Sequence, residues 1–256
     1  SSRKGEAVMR ELKVLVACET SGTVRDAFYW AGHDAWSCDV LPADTPTNRH
    51  IQGDVRDVLK MESWDLLMVA HPPCTRLCNS GVRWLTGKAG QDPISPITGK
   101  PHPKKLPKGK TLEQVWDELD EGAALFRELM NADVPMIAIE NPAMHPYAKE
   151  RIWGGDFESQ CENDGTFIRT GVQPWQFAES KDSEDYQKKH TNLWLKGLPP
   201  LQRTNDFDGV DAVAKCHSLP PSADRWKERS KFHEGLAQAM ADQWGGLDLW
   251  LQGEAA

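Results

Sequence analysis

Apolar residues in the first half of this chain fall into short runs bounded by polar residues, glycine or proline. Leu12 to Cys18, Trp64 to Ala70 and Val134 to Glu140 read as apolar strands, the Leu66 to Ala70 run with the signature of a strand buried on both faces, as in a parallel sheet, and Asp34 to Val40 reads as a further strand with Asp39 at its end. Between them the period becomes helical. Thr23 to Gly32 reads as a helix that Gly32 stops. Thr111 to Ala132 reads as an amphipathic helix capped by Thr111, with Val115, Leu119, Ala123, Phe126 and Met130 on one face. Alternation of strand and helix predicts an α/β fold with a mostly parallel sheet.

Leu41 to His50 reads as a polar loop, and Val55 to Lys60 as a short helix that Asp54 can cap. Asn79 to Lys110 is long, irregular and rich in Gly and Pro, as in a lid or binding loop. Met144 to Ile152 is a short helix or turn. After Trp153 the segments shorten: Phe167 to Val172 and Asn192 to Leu195 read as strands that either complete the sheet or form a small appendage. Ser180 to Lys189 reads as a charged loop. Ser230 to Trp244 is a closing helix with Phe232, Leu236, Met240 and Trp244 on one face. The expected layout is a tag remnant or disordered tail over residues 1–8, a cofactor-binding and catalytic region over 9–152, remaining strands or a recognition appendage over 153–230, and a closing helix and tail over 231–256.

The chain has 256 residues and no apolar run near the ~20 residues that span a bilayer, so a soluble, cytoplasmic protein without a membrane partner is expected. Cys18 and Cys38 lie in strand-like runs, as reduced core thiols do. Cys74 and Cys78 have no second close Cys/His pair to complete a zinc set, although Cys216-His217 is a half-site, so no metal is expected. A net charge of −8 argues against a broad phosphate-binding surface. Against that background, Lys100 to Lys110 carries five lysines and no acid. It is either a phosphate contact, through Lys104 and Lys105, or a solvated loop. Most of the eleven tryptophans are expected in the core, with a few exposed ones able to stack on bases.

The candidate chemistry gathers at strand ends. The Leu66 to Ala70 run leads through His71, Pro72 and Pro73 to Cys74, just beyond a carboxyl strand end, where open α/β sheets bind ligands. Cys74 is either a nucleophile held on a stiff turn or a small buried hydrophobe. The strand from Val134 ends in Glu140-Asn141-Pro142 and delivers a carboxylate to the same edge. The first strand is followed by Glu19-Thr20-Ser21-Gly22, a loop with one glycine, and the next strand ends at Asp39. That acid can accept hydrogen bonds from both ribose hydroxyls, or cap a loop. Without a phosphate-cradling fingerprint, S-adenosylmethionine fits this unit better than a dinucleotide.

A thiol and a carboxylate beside such a cofactor suit methylation at carbon 5 of cytosine: the thiolate adds at carbon 6 and the carboxyl serves the ring-nitrogen edge. The order Ser21-Gly22, Asp39, Gly53-Asp54, Pro73-Cys74 and Glu140-Asn141-Pro142 resembles the DNA (cytosine-5) methyltransferase family, and the chain is similar to compact methylase-like proteins carried by bacteriophages. The resemblance implies a Rossmann-like S-adenosylmethionine-dependent methyltransferase fold, with Cys74 and Glu140 catalytic. Cofactor contacts would come from Cys18, Glu19, Thr20, Ser21, Gly22, Asp39, Val40, Asp54, Val55 and Pro72. Substrate contacts would come from Pro73, Arg76, Asn79 and Asn141, with Lys104 and Lys105. The implied partner is DNA, double- or single-stranded, and the chain would be a monomer or small homo-oligomer. The family's Gln-x-Arg-x-Arg segment is missing; Arg169, Gln173 and Lys189 lie in the right region at other spacing. Alternatives are the same chemistry on free cytidine nucleotides, or an idle DNA- or protein-binding protein on this fold. An amino-group methyltransferase ranks lower, because His71-Pro72-Pro73-Cys74 lacks that class's leading acceptor and its aromatic.

Overall fold

The computed structural model describes residues 10–78, 81, 107–154, 166–215 and 232–247. Seven strands form one sheet: β1 (Lys13–Ala17), β2 (Asp34–Asp39), β3 (His50–Gln52), β4 (Leu66–Val69), β5 (Met136–Asn141), β6 (Ile168–Val172) and β7 (Thr191–Lys196). Their order is β3-β2-β1-β4-β5-β7-β6, and β7 runs antiparallel to both neighbours while the other pairings are parallel. The fold is a Rossmann-like α/β sheet, as the alternating strand and helix pattern predicts.

Helices cover both faces, which is why the central strands are apolar without alternation; every residue of β4 and β5 is buried. On one face α1 (Thr23–Trp30) and the closing helix α5 (Glu234–Gly245) pack through Val24, Phe28, Leu236 and Met240 against Val14, Met68 and Ala138. On the other, α2 (Val55–Met61), α3 (Leu112–Met130) and α4 (Pro146–Trp153) cover Leu15, Leu67, Val69 and Ile139. Thr111 caps α3 in a reciprocal box with Gln114. Phe126, Trp153 and Trp194 pack together here, with ring centroids 5.0–6.2 Å apart.

Two features differ from the sequence reading, the extra strand β3 and the start of the closing helix, and between them one open alternative is resolved. The segment around His50 is not all loop: β3 adds to the sheet edge through Ser37↔His50 and Asp39↔Gln52. Its three residues are too few for a periodic signal. The two late strands complete the sheet, and the irregular stretches beside them carry a small separate cluster of Ala178, Tyr186 and Ala212. Helix α5 begins at Glu234, with Phe232 and His233 preceding it. No helix among the described residues is long and apolar enough to cross a membrane.

Candidate active site

Strand register brings the predicted residues to one edge. Ala17, Cys38, Val69, Ile139 and Trp194 form a row across the sheet, and the next residues along are Cys18, Asp39, Ala70 and Glu140. The chain reverses its direction of winding between β1 and β4, so the loops after these strands flank the switch-point crevice.

After β1, Cys18 adopts φ 57°, the one non-glycine positive φ among the described residues. It turns the chain so that Glu19 is fully buried beneath the loop. Glu19 accepts hydrogen bonds from the backbone N–H groups of Val24 (2.8 Å) and Arg25 (3.2 Å) and from Ser21 Oγ (3.3 Å). Its carboxylate therefore occupies the α1 N-terminus, the position where dinucleotide folds hold a phosphate. Burial raises its pKa to about 7 against these donors. Gly22 (φ 77°) lies on the guanidinium of buried Arg25, which a Cβ would meet at 2.1 Å. The Thr20 carbonyl accepts from Asp44 N (2.9 Å).

At the end of β2, Asp39 is half-buried; its Oδ1 accepts from Leu41 N (2.9 Å), and exposed Val40 follows it. Asp54 caps α2, accepting from Arg56 N (2.9 Å), and Val55 is buried behind it. The capping alternative for Asp54 is thus realised, and the carboxylate remains at the sheet edge.

The loop after β4 carries Cys74. Its carbonyl accepts from the backbone N–H groups of Leu77 (2.9 Å) and Cys78 (3.2 Å), which closes a turn. Pro72 is buried and Pro73 exposed. A bridge pairs Cys78 with Met144, and His145 N donates to the Leu77 carbonyl (2.8 Å). The thiol loop is thereby tied to the segment after Glu140. Arg76 turns to Glu118 of α3 (2.8 Å) and to the Gly81 carbonyl (3.4 Å).

Glu140 is buried and accepts a hydrogen bond from Thr191 Oγ1 across the β5–β7 pairing. Burial raises its pKa to about 6, opposed by Thr191 and by the charge of Lys189. Burial and the nearby Glu140 charge push the Cys74 thiol up to about 12, and Lys189 acts the other way. Asn141 is fully buried, with neither side-chain atom hydrogen-bonded. Asn79, Lys104 and Lys105 lie outside the described residues, as do Cys161, Cys216 and residues 1–8.

Lys189 and Thr191 were not recognised in the sequence as partners of the thiol and the carboxylate. The signal was the alternation Gln187-x-Lys189-x-Thr191 leading into β7, which has the spacing of Gln-x-Arg-x-Arg with Lys and Thr at the arginine positions. An open cleft of about 1280 Å³ is lined by Lys189 together with Ser21, Thr23, Phe232 and His233.

No protein-family model matches the chain, and no curated protein matches it. Among solved structures it is similar to a protein described as a DNA modification methyltransferase encoded within an E. coli prophage (11% identity, 72% of this chain and 46% of that one, TM-score 0.39). It is similar also to the Entamoeba histolytica methyltransferase EhMeth (11% identity, 77% and 58%, TM-score 0.37). A third is the S. pombe Dnmt2 methyltransferase (12% identity, 85% and 63%, TM-score 0.35). The chain spans less than two thirds of the length of each of these proteins.

Proposed function

We propose that the protein is an S-adenosylmethionine-dependent methyltransferase that modifies carbon 5 of cytosine in DNA through a covalent adduct at Cys74. The observation that carries this reading is the meeting of Cys74 and Glu140 at one sheet edge, close enough for the carboxylate's charge to act on the thiol.

The cofactor loop supports a phosphate-free cofactor, because Glu19 already fills the anion position at α1. Asp39 would hold the ribose hydroxyls, Val40, Asp54 and Val55 the adenine, and the Cys18 to Gly22 loop with Pro72 the methionyl part. When bound, S-adenosylmethionine supplies an electrophilic methyl group.

Carbon 5 of cytosine is a poor nucleophile. Addition of the Cys74 sulfur at carbon 6 turns the ring into an enamine and raises the electron density at carbon 5. The net result of that addition is transfer of the thiol proton to ring nitrogen N3. A carboxyl group poised at about 6, as Glu140 is, can exchange a proton there near neutral pH. Lys189 favours the thiolate and the carboxylate together. Pro73, Arg76 and Asn141 border the base, with Arg76 acting through the loop it braces.

A second reading, the same chemistry on free cytidine nucleotides, is favoured by the charge of the cleft. Asp44, Glu179, Glu184, Asp185, Glu234 and Asp242 line it against Lys189 and Lys215, a balance that repels a phosphate-rich duplex. Nucleoside mass spectrometry tests both readings. DNA or cytidine nucleotides incubated with the protein and S-adenosylmethionine should yield 5-methylcytosine, and Cys74→Ser should yield none; no product from either substrate would refute the assignment.

A further inference from the structure

Strand β3 makes more bonds than its pairing with β2 requires. The pairing accounts for the Gly53 N–H that donates to the Asp39 carbonyl (2.9 Å). It does not account for two side chains that reach past the strand to the turn beyond Asp39. His50 Nε2 lies 3.0 Å from the Leu41 carbonyl oxygen, and Gln52 Nε2 donates to the Val40 carbonyl (3.2 Å). Asp39, Val40 and Leu41 are thus each held by their carbonyl from β3 or the residue after it. Val40 is 68% exposed and Leu41 47%, so side-chain packing contributes little to fixing this turn and the bonds from β3 hold it.

Hydrogen-bond chemistry sets the direction of these contacts. A carbonyl only accepts, so His50 Nε2 carries a proton and donates to Leu41. In the neutral imidazole Nδ1 is then the acceptor, and Ser37 Oγ donates to it at 2.9 Å. Ser37 Oγ accepts in turn from Arg25 Nη1 (2.9 Å), while the Arg49 carbonyl is farther from it at 3.5 Å. Ser37 and Arg25 are buried, and the Arg25 guanidinium lies against Gly22. One directed chain, Arg25 to Ser37 to His50 to Leu41, therefore runs from the loop after β1 to the turn after β2. Leu41 closes it on the candidate ribose acid, since its N–H donates to Asp39 Oδ1 (2.9 Å). Where Leu41 sits decides where that carboxylate sits.

We propose that His50 is a positioning residue of the cofactor site: held by Ser37, it fixes the Asp39 carboxylate through the Leu41 peptide, and Gln52 is a second grip on the same turn. The assignment rests on the S-adenosylmethionine reading and adds to it that β3 sets the preference for a ribose over a sugar without hydroxyls. Bonds from hydroxyls to a carboxylate are short and directional, so a carboxylate that drifts with a loosened turn loses them.

Ribose recognition is read as a ratio of affinities. Calorimetry compares S-adenosylhomocysteine with its counterpart lacking both ribose hydroxyls. A partly unfolded population lowers both affinities alike and leaves their ratio unchanged, so a merely structural role would not move it. The unmodified protein should prefer the ribose form by about tenfold or more, the usual worth of hydrogen bonds to a charged group. His50→Ala should lose most of that preference. His50→Gln keeps an N–H near the Nε2 position and should retain it. Gln52→Ala, at an exposed residue, should lower the ratio by less. A ratio undiminished in His50→Ala would overturn the proposal, and so would equal loss in His50→Gln and His50→Ala. Where His50→Ala fails to fold, an undiminished ratio in Gln52→Ala overturns it. Equal affinity of the unmodified protein for the two ligands would remove the ribose acid and this assignment while leaving the cofactor in place. No binding of either ligand would overturn the S-adenosylmethionine reading itself, and this assignment with it.

Discussion

Thr191 donates its hydroxyl proton to the Glu140 carboxylate across the antiparallel pairing of β5 and β7. The strand that reverses direction thus orients the carboxyl group delivered by the strand that does not. The bond favours the ionised form, so removing it should raise a pKa that burial already holds at about 6. Thr191→Val should move the Glu140 titration, followed by carbon-13 NMR, upward by about one unit or more, since hydrogen bonds to charged groups contribute ~1.5–3 kcal/mol. An unmoved titration would mean that the bond does not control the carboxyl group.

Asp39 tests the proposed cofactor site. Its Oδ1 already serves Leu41 N in a turn, so Asp39→Asn keeps the turn acceptor while losing charge and an acceptor for ribose. Asp39→Ala should weaken S-adenosylmethionine binding by roughly 1–3 kcal/mol in calorimetry, with Asn intermediate. Equal affinity in all three proteins would remove Asp39 from the site.

Glu19 makes stability depend on pH. Its folded pKa of about 7 lies above the ordinary 4.5, so the folded state holds the proton more tightly than the unfolded chain does. The associated stability is present below about 4.5 and is lost as pH rises to about 7. Glu19→Gln cannot ionise and should gain on the unmodified protein across that window, by up to a few kcal/mol. Denaturant titrations at about pH 5 and about pH 8 measure this, and a constant difference between the proteins would uncouple Glu19 from the pH response.

Arg76 separates bracing from phosphate contact. It is 8% exposed and bonded to Glu118, which Lys110 also pairs. Arg76→Met should cost about 1–3 kcal/mol of stability and leave the salt dependence of DNA affinity unchanged. A slope smaller by about one phosphate contact would instead make Arg76 a direct ligand of the backbone.

Much of this architecture was legible in the sequence because strands buried on both faces are apolar throughout and end abruptly. The runs at Leu12, Leu66 and Val134 predicted β1, β4 and β5 and the edge on which Cys74 and Glu140 meet. Thr111 as a cap and Gly32 as a stop were readable from local chemistry. What escaped depends on pairing between distant segments. β3 has three residues and exists because β2 offers it an edge. Lys189 and Thr191 gain their role from the β7 register beside Glu140, and Asp185 meets His233 from 48 residues away. The role of Glu19 was hidden for the same reason: its contacts to Val24 and Arg25 require the turn that Cys18 and Gly22 make.

The covalent step is tested most directly by intact-protein mass spectrometry after incubation with S-adenosylmethionine and an oligonucleotide carrying 5-fluorocytosine. Fluorine at carbon 5 cannot leave as a proton does, so the ring should stay bonded to sulfur after methyl transfer. The account predicts a protein–DNA adduct of methylated mass, with its cross-linked peptide mapping to Cys74 and the adduct missing in Cys74→Ser. Turnover of ordinary cytosine without any trapped adduct, or an adduct at another cysteine, would contradict it.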